Sequence, residues 1–183
     1  MVHYTQEYDM RRKTTITFGI ATCLIPLLAT AGSTDAVPAQ AKELHCLVGK
    51  WKGEGKLTVG SEVASVKGKY VCKKISGGFG VACTAELTGV PGLDKYRQHD
   101  MWGYDAGADA YHWFAITNAG ETHDHVGRLT SDSFVGKYEG VRGGKAFVET
   151  VEFRFTDDDT LRVISGVRED GKLAEKLELV FRR

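Results

Sequence analysis

The chain has 183 residues, and its 24 lysines and arginines balance 24 aspartates and glutamates, giving a formal net charge of zero. The part after residue 41 is equally balanced and has no basic cluster, which argues against nucleic acid as the natural partner. Along the strands of that part the charges are scattered singly, as on a solvated face.

The front of the chain reads as an export signal. Arg11, Arg12 and Lys13 precede an apolar stretch from Thr14 to Ala31, and a small, polar segment runs on to Ala41. This is the order of a secretory signal peptide, with cleavage expected after Ala31 (Ala29-Thr30-Ala31) or Ala41 (Ala39-Gln40-Ala41). The apolar stretch is shorter than the ~20 residues of a spanning helix and contains Pro26, which argues against an anchor. Glu7 and Asp9 sit awkwardly in an n-region, so Met10 opens a cleaner signal than Met1. Residues 1–41 are thus expected to be signal peptide and flexible leader. Residues 42–183 are one exported domain, periplasmic or extracellular, large enough for a single core. A short helical plug is expected at Lys42 to Val48.

From there on the sequence is rhythmic. Short alternating runs are broken at Gly60-Ser61, Gly77-Gly78, Gly89 to Lys95, Asp105 to Asp109, Asn118 to Gly120, Thr130 to Asp132, Arg142 to Gly144, Thr156 to Asp159 and Glu169 to Gly171. Nine breaks predict about ten strands. Even spacing without intervening helices predicts an all-β, antiparallel, up-and-down barrel. A barrel of this size usually encloses a cavity.

Alternation assigns the faces. In the first strand Trp51, Gly53, Gly55, Leu57 and Val59 oppose a row of charged residues, so they face inward. The two glycines leave room for strand curvature or for a ligand. Ala64, Val66, Tyr70 and Cys72 face inward from the second strand, and Val81, Cys83, Ala85 and Leu87 from the third. A hairpin centred on Gly77-Gly78 pairs Cys72 with Cys83 and Tyr70 with Ala85, in agreement with those faces. Near the end, Phe147, Val151, Phe153 and Phe155 share one face, as do Leu177, Leu179 and Phe181. The middle strands, Tyr96 to Tyr104 and Tyr111 to Asn118, are aromatic on both sides and are not sorted by alternation. They are covered on both faces or present a contact surface.

Three cysteines follow the signal. A Cys72–Cys83 disulfide is the first expectation for an exported protein, with Cys46 left over; three small buried hydrophobes are the alternative.

Ionisable groups concentrate at Glu121-Thr122-His123-Asp124-His125. On a strand, Glu121, His123 and His125 share a face, about 7 Å apart. That trio suits a polar ligand, a metal ion or haem. His99 or His112 is a candidate further metal ligand. Glu149 falls on an otherwise apolar inward face and needs a partner, for which His123 and His125 are candidates; a bulge turning it outward is the alternative. No G-x-S-x-G, H-E-x-x-H or phosphate-binding glycine loop is present, so catalysis has little support.

Gly49-Lys50-Trp51 resembles the G-x-W of lipocalins and other calycins. In those families a C-terminal basic residue packs over the tryptophan, a part open to Arg182 or Arg183. The longer set is similar to the bacterial DUF1579 family, a lipocalin-like domain family of unknown function. That set comprises Leu47-Val48-Gly49-Lys50-Trp51-Lys52-Gly53-Glu54-Gly55, Trp102-Gly103-Tyr104-Asp105, Glu121 to His125, Tyr138-Glu139-Gly140 and Phe155-Thr156-Asp157. The resemblance covers about residues 44–183 and implies a fold rather than an activity. Nitrobindin-like haem proteins open similarly, but their haem-ligating histidine lies near the C-terminal end. This chain has no histidine after His125, so haem would need His123 or His125.

Three functions follow as expectations. The first is a barrel binding a small apolar or amphipathic molecule, with Trp51, Tyr70, Tyr138, Glu121, His123 and His125 lining the cavity. The second is a metal or haem site at Glu121, His123 and His125. The third is a filled, non-catalytic barrel used for protein contacts.

Overall fold

The computed structural model describes residues 36–183. Most of the expected signal peptide and leader, including Ala31, lies outside the described residues. The described part opens with a helical segment, α1 (Ala39–Glu43), continued by a 3-10 turn over Leu44–Leu47. The helical plug therefore begins three residues before its expected start, and Ala41 is buried within it.

Ten strands follow: β1 (Gly49–Val59), β2 (Glu62–Ile75), β3 (Gly80–Thr88), β4 (Tyr96–Asp105), β5 (Ala110–Thr117), β6 (Thr122–Leu129), β7 (Ser133–Arg142), β8 (Lys145–Asp157), β9 (Thr160–Glu169) and β10 (Lys172–Arg182). Every strand pairs antiparallel with its sequence neighbours, and β1 pairs with β10 to close the barrel. All nine predicted breaks coincide with the connections, four of them overlapping the last one or two residues of the preceding strand. Closure leaves no sheet edge to template aggregation.

The hairpin between β2 and β3 has the predicted register, Cys72 opposite Cys83 and Tyr70 opposite Ala85. Gly77 and Gly78 both take positive φ there, 67° and 98°. A disulfide joins Cys72 to Cys83, whose Cα atoms are 4.1 Å apart. That separation belongs to a non-hydrogen-bonded cross-strand pair.

The room beside Gly53 and Gly55 is taken by the barrel's own closing strand. A Cβ on Gly53 would meet the Phe181 ring at 2.5 Å, and one on Gly55 would meet the Glu178 carbonyl at 1.8 Å. The glycines serve close strand approach, not a ligand.

The middle strands do alternate. Asp100 and Trp102 of β4 and Tyr111, Trp113 and Ala115 of β5 are buried inside. Met101 and Ile116 stand exposed outside. Sequence could not sort these strands because aromatic Phe114 is cross-strand partner to outward Met101.

The helical segment covers the end of the barrel where β2 turns into β3 and β4 into β5. Tyr111 Oη donates to Glu43 at 2.6 Å, and His45 Nε2 lies 2.9 Å from the Gly78 carbonyl. Trp51 is fixed at this end. Its Nε1 donates to the Leu47 carbonyl at 2.8 Å, and the Arg183 guanidinium lies over its ring at 4.3 Å. Arg183 also donates to the Val48 carbonyl at 3.1 Å and pairs with Asp159 at 3.2 Å. Arg183→Ala is expected to lose about 1–2 kcal/mol in urea unfolding, because a cation–π contact and charge-assisted hydrogen bonds disappear together. Lysine there should restore only part, since it lacks the planar fork.

Candidate functional site

At the opposite end β1 turns into β2, β3 into β4, β5 into β6, β7 into β8 and β9 into β10. A cavity of about 500 Å³ opens there. Its walls are mostly apolar, with Leu57, Leu87, Val151, Val163 and Leu179 among them. Below it, Trp102 packs edge-on against Phe134 and Phe153, with ring centroids 5.0 and 4.9 Å away. The barrel is thus filled by aromatics towards the plug and hollow towards the mouth, which counts against a wholly filled interior.

Two polar groups interrupt the apolar wall. The first is built on β6 and β8. His125 is only 1% exposed and stacks on Trp113, with centroids 4.4 Å apart and planes at 22°. His123 stacks on Tyr138 at 4.4 Å and 16°. Tyr138 is the cross-strand partner of Glu149, so the carboxylate and the two imidazoles gather around one tyrosine. His123 Nδ1 is hydrogen-bonded to Glu149 Oε2 at 2.9 Å. His125 Nε2 lies 3.1 Å from the same oxygen, but not aligned for a hydrogen bond. Ser165 Oγ donates to the other oxygen at 2.5 Å. Burial alone would raise the Glu149 carboxyl. Against it, the His123 hydrogen bond, the neighbouring His125 ring and the Ser165 hydroxyl hold the group well below the usual carboxylate range. Neither ring nitrogen of His125 has a hydrogen-bond partner among the described residues. Buried polar atoms in that state are uncommon and call for an explanation.

The second group is a relay on β2 and β4. Trp102 Nε1 donates to Tyr70 Oη at 3.0 Å, and Tyr70 Oη donates to Asp100 Oδ2 at 2.9 Å. Gln98 Nε2 donates to Asp100 Oδ1 at 2.7 Å, and Tyr96 Oη donates to Gln98 Oε1 at 2.5 Å. Burial pushes Asp100 up to about 6, although the Gln98 and Tyr70 hydrogen bonds pull the other way.

The mouth is charged. Arg142 Nη2 lies 2.8 Å from Glu121 Oε1, and its other nitrogen pairs with Glu175. Glu62 lines the same rim.

The expected site residues therefore separate. Tyr70, Glu121, His123 and His125 line the cavity. Trp51 does not, because it is pinned beneath Arg183 at the plugged end. Tyr138 does not, because it lies behind the His123 ring. Glu121 is not the carboxylate that joins the two histidines. It precedes β6, turns to Arg142 and stays 3.8 Å from His123 Nε2. Glu149 takes that place, with ligand atoms of His123, His125 and Glu149 all within 4.8 Å of one another. His99 and His112 face outward, and His112 pairs with Asp124 at 3.1 Å. Neither joins the group of His123, His125 and Glu149.

Sequence reading did not single out Asp100, Gln98, Ser165 or Arg142. Alternation along Gln98-Asp100-Trp102 and Val163-Ser165-Val167 carries the signal for three of them. Arg142 was read only as part of a turn.

No family model matches the chain, and no curated protein matches it. Among solved structures it is similar to Rv2717c from M. tuberculosis, at 17% identity and a TM-score of 0.59, over 81% of this chain and 99% of that one. It is also similar to the S-type phycobiliprotein lyase CPES from Guillardia theta, at 11% identity and a TM-score of 0.50, over 76% of this chain and 89% of that one. At these identities the likeness is one of fold, and it fits a lipocalin-like barrel.

Proposed function

We propose that this chain is an exported barrel that binds a small apolar or amphipathic molecule. The observation that carries the reading is the cavity of about 500 Å³, a size typical of small-molecule sites, with apolar walls and few polar groups. A molecule bound there would lay its apolar body on Leu57, Leu87 and Val163 and turn a polar end to the histidines, Asp100 or the rim. Similarity in fold to a phycobiliprotein lyase supports a small-molecule role without naming the molecule. Export is supported by the signal-like front and by the Cys72–Cys83 disulfide, which suits an oxidising compartment. The motifs that resemble DUF1579 support, in this reading, membership of that family.

Nile red, a neutral apolar dye, is a suitable probe. One dye per chain is expected to bind with enhanced emission. Ala85→Trp, which adds a ring to the cavity wall, should weaken binding at least tenfold, while Val135→Ser on the outer surface should leave it unchanged. A folded wild-type protein that neither binds the dye nor retains any small molecule in native mass spectrometry would end this reading.

A further inference from the structure

We propose that His123, His125 and Glu149 bind a divalent transition cation, with its remaining coordination positions open to the cavity. The inference goes beyond small-molecule binding and does not depend on it.

Four observations converge. The first is geometric. Donors held 2.0–2.2 Å from a zinc-like ion lie roughly 3 to 3.5 Å apart. The two imidazole nitrogens are already 2.9 and 3.1 Å from one Glu149 oxygen. Small movements would admit an ion, which would take the place of the proton shared between His123 and the carboxylate. The second is the state of His125. Its ring is 1% exposed, and its Nε2 faces the Glu149 oxygen at 3.1 Å without forming a hydrogen bond to it, so this buried nitrogen is left available to an ion. The third is the support around the donors. Ser165 holds the outer oxygen of Glu149, and Trp113 and Tyr138 fix both ring planes. Outer partners of this kind orient ligands in metal sites. The fourth is charge. Glu149 and Asp100 line the wall and Glu62, Glu121 and Glu175 the rim, with Arg142 as the cation among these lining groups. A negative cavity favours a positive occupant.

The donor set narrows the occupant. Two imidazoles and one carboxylate suit Zn²⁺, Fe²⁺ or Co²⁺ better than Mg²⁺ or Ca²⁺, which prefer oxygen alone. Haem fits less well. It takes axial donors along one line, whereas three donors here meet at a point and both rings lie flat against aromatic neighbours.

The test is Co²⁺ titration of chelator-treated full-length protein, followed by its visible ligand-field bands, with Zn²⁺ as competitor. One equivalent per chain is expected. Glu149→Gln and His125→Ala should each weaken binding by at least ~100-fold, more than outer-partner losses usually cost. Ser165→Ala should weaken it by ~10-fold, and it remains informative should His125→Ala fail to fold. His112→Ala, on the outer surface, should change nothing. Absence of stoichiometric binding to the folded wild type would overturn the site. So would binding that survives Glu149→Gln and Ser165→Ala, or that is lost in His112→Ala. Nile red binding by Glu149→Gln separates the two proposals, since dye retained without Co²⁺ leaves the cavity reading intact.

Discussion

Replacing Gly55 with alanine is expected to prevent the barrel from closing properly. Gly55 lies opposite Leu179 across the seam between β1 and β10. The new methyl carbon would stand 1.8 Å from the Glu178 carbonyl oxygen, 2.8 Å from its carbon and 2.9 Å from the Leu179 Cα. All three atoms are backbone, so no rotamer relieves the overlap. Either β1 moves off β10 or the ladder hydrogen bonds between them lengthen. Overpacking of side chains usually costs 1–3 kcal/mol. A clash with paired backbone should cost at least ~3 kcal/mol, a large part of a domain's total stability of roughly 5–15 kcal/mol. Gly103→Ala is the matched control. Gly103 also sits inside a strand, but nothing lies within 4 Å of its would-be Cβ. That change should be neutral or stabilising within about 1 kcal/mol. Urea unfolding of both variants decides the matter. Equal effects would show that the seam tolerates displacement.

The architecture was legible because each level of the sequence agreed with the next. Breaks every ten residues or so set the strand number. Alternation set the faces, and the short Gly77-Gly78 turn set one register that tied Cys72 to Cys83. Much of the site was legible too, because an inward carboxylate in an apolar row needs a partner, and the pairing of Glu149 with His123 and His125 read from that rule is the one the structure shows. His123 and His125 announce themselves by their spacing on β6, whereas Glu149 enters from β8, two strands away. Fixing its place beside both rings, rather than naming them as candidate partners, requires the register of β6 on β7 and of β7 on β8 together. Glu121 was therefore chosen over Glu149 as metal ligand because sequence proximity stood in for spatial proximity. Asp100 was missed for a related reason. The connection from Gly89 to Lys95 is too long for a turn type to fix register, so its place opposite Cys83 could not be derived. Trp51 was read correctly as inward, but an inward face does not say which end of the barrel a side chain serves.

Asp100 gives the second large effect, and its sign runs opposite to that of Glu149. The Asp100 carboxyl titrates near 6 in the folded protein, against a reference value of 3.8. The folded state thus holds this proton more tightly than the unfolded chain does. The resulting stability is fully present below the unfolded value and is lost as pH rises through about 6. A difference of about two units corresponds to roughly 3 kcal/mol. Glu149 is depressed, so its contribution is fully present above the ordinary carboxylate value and is lost progressively as pH falls below it. Unfolding free energies of wild type and Asp100→Asn, compared from pH 3 to pH 8, isolate the first effect because Glu149 is common to both. The variant should gain on wild type by about 3 kcal/mol across that range, most steeply between pH 4 and 6. The absolute cost of replacing an acceptor oxygen beside Tyr70 by an amide shifts both ends equally and leaves the slope intact. A parallel pair of curves would mean that Asp100 ionises as it does in the unfolded chain. A slope of the expected sign means that Asp100 is held as the neutral acid on the cavity wall at low pH and becomes a buried carboxylate as pH rises through about 6.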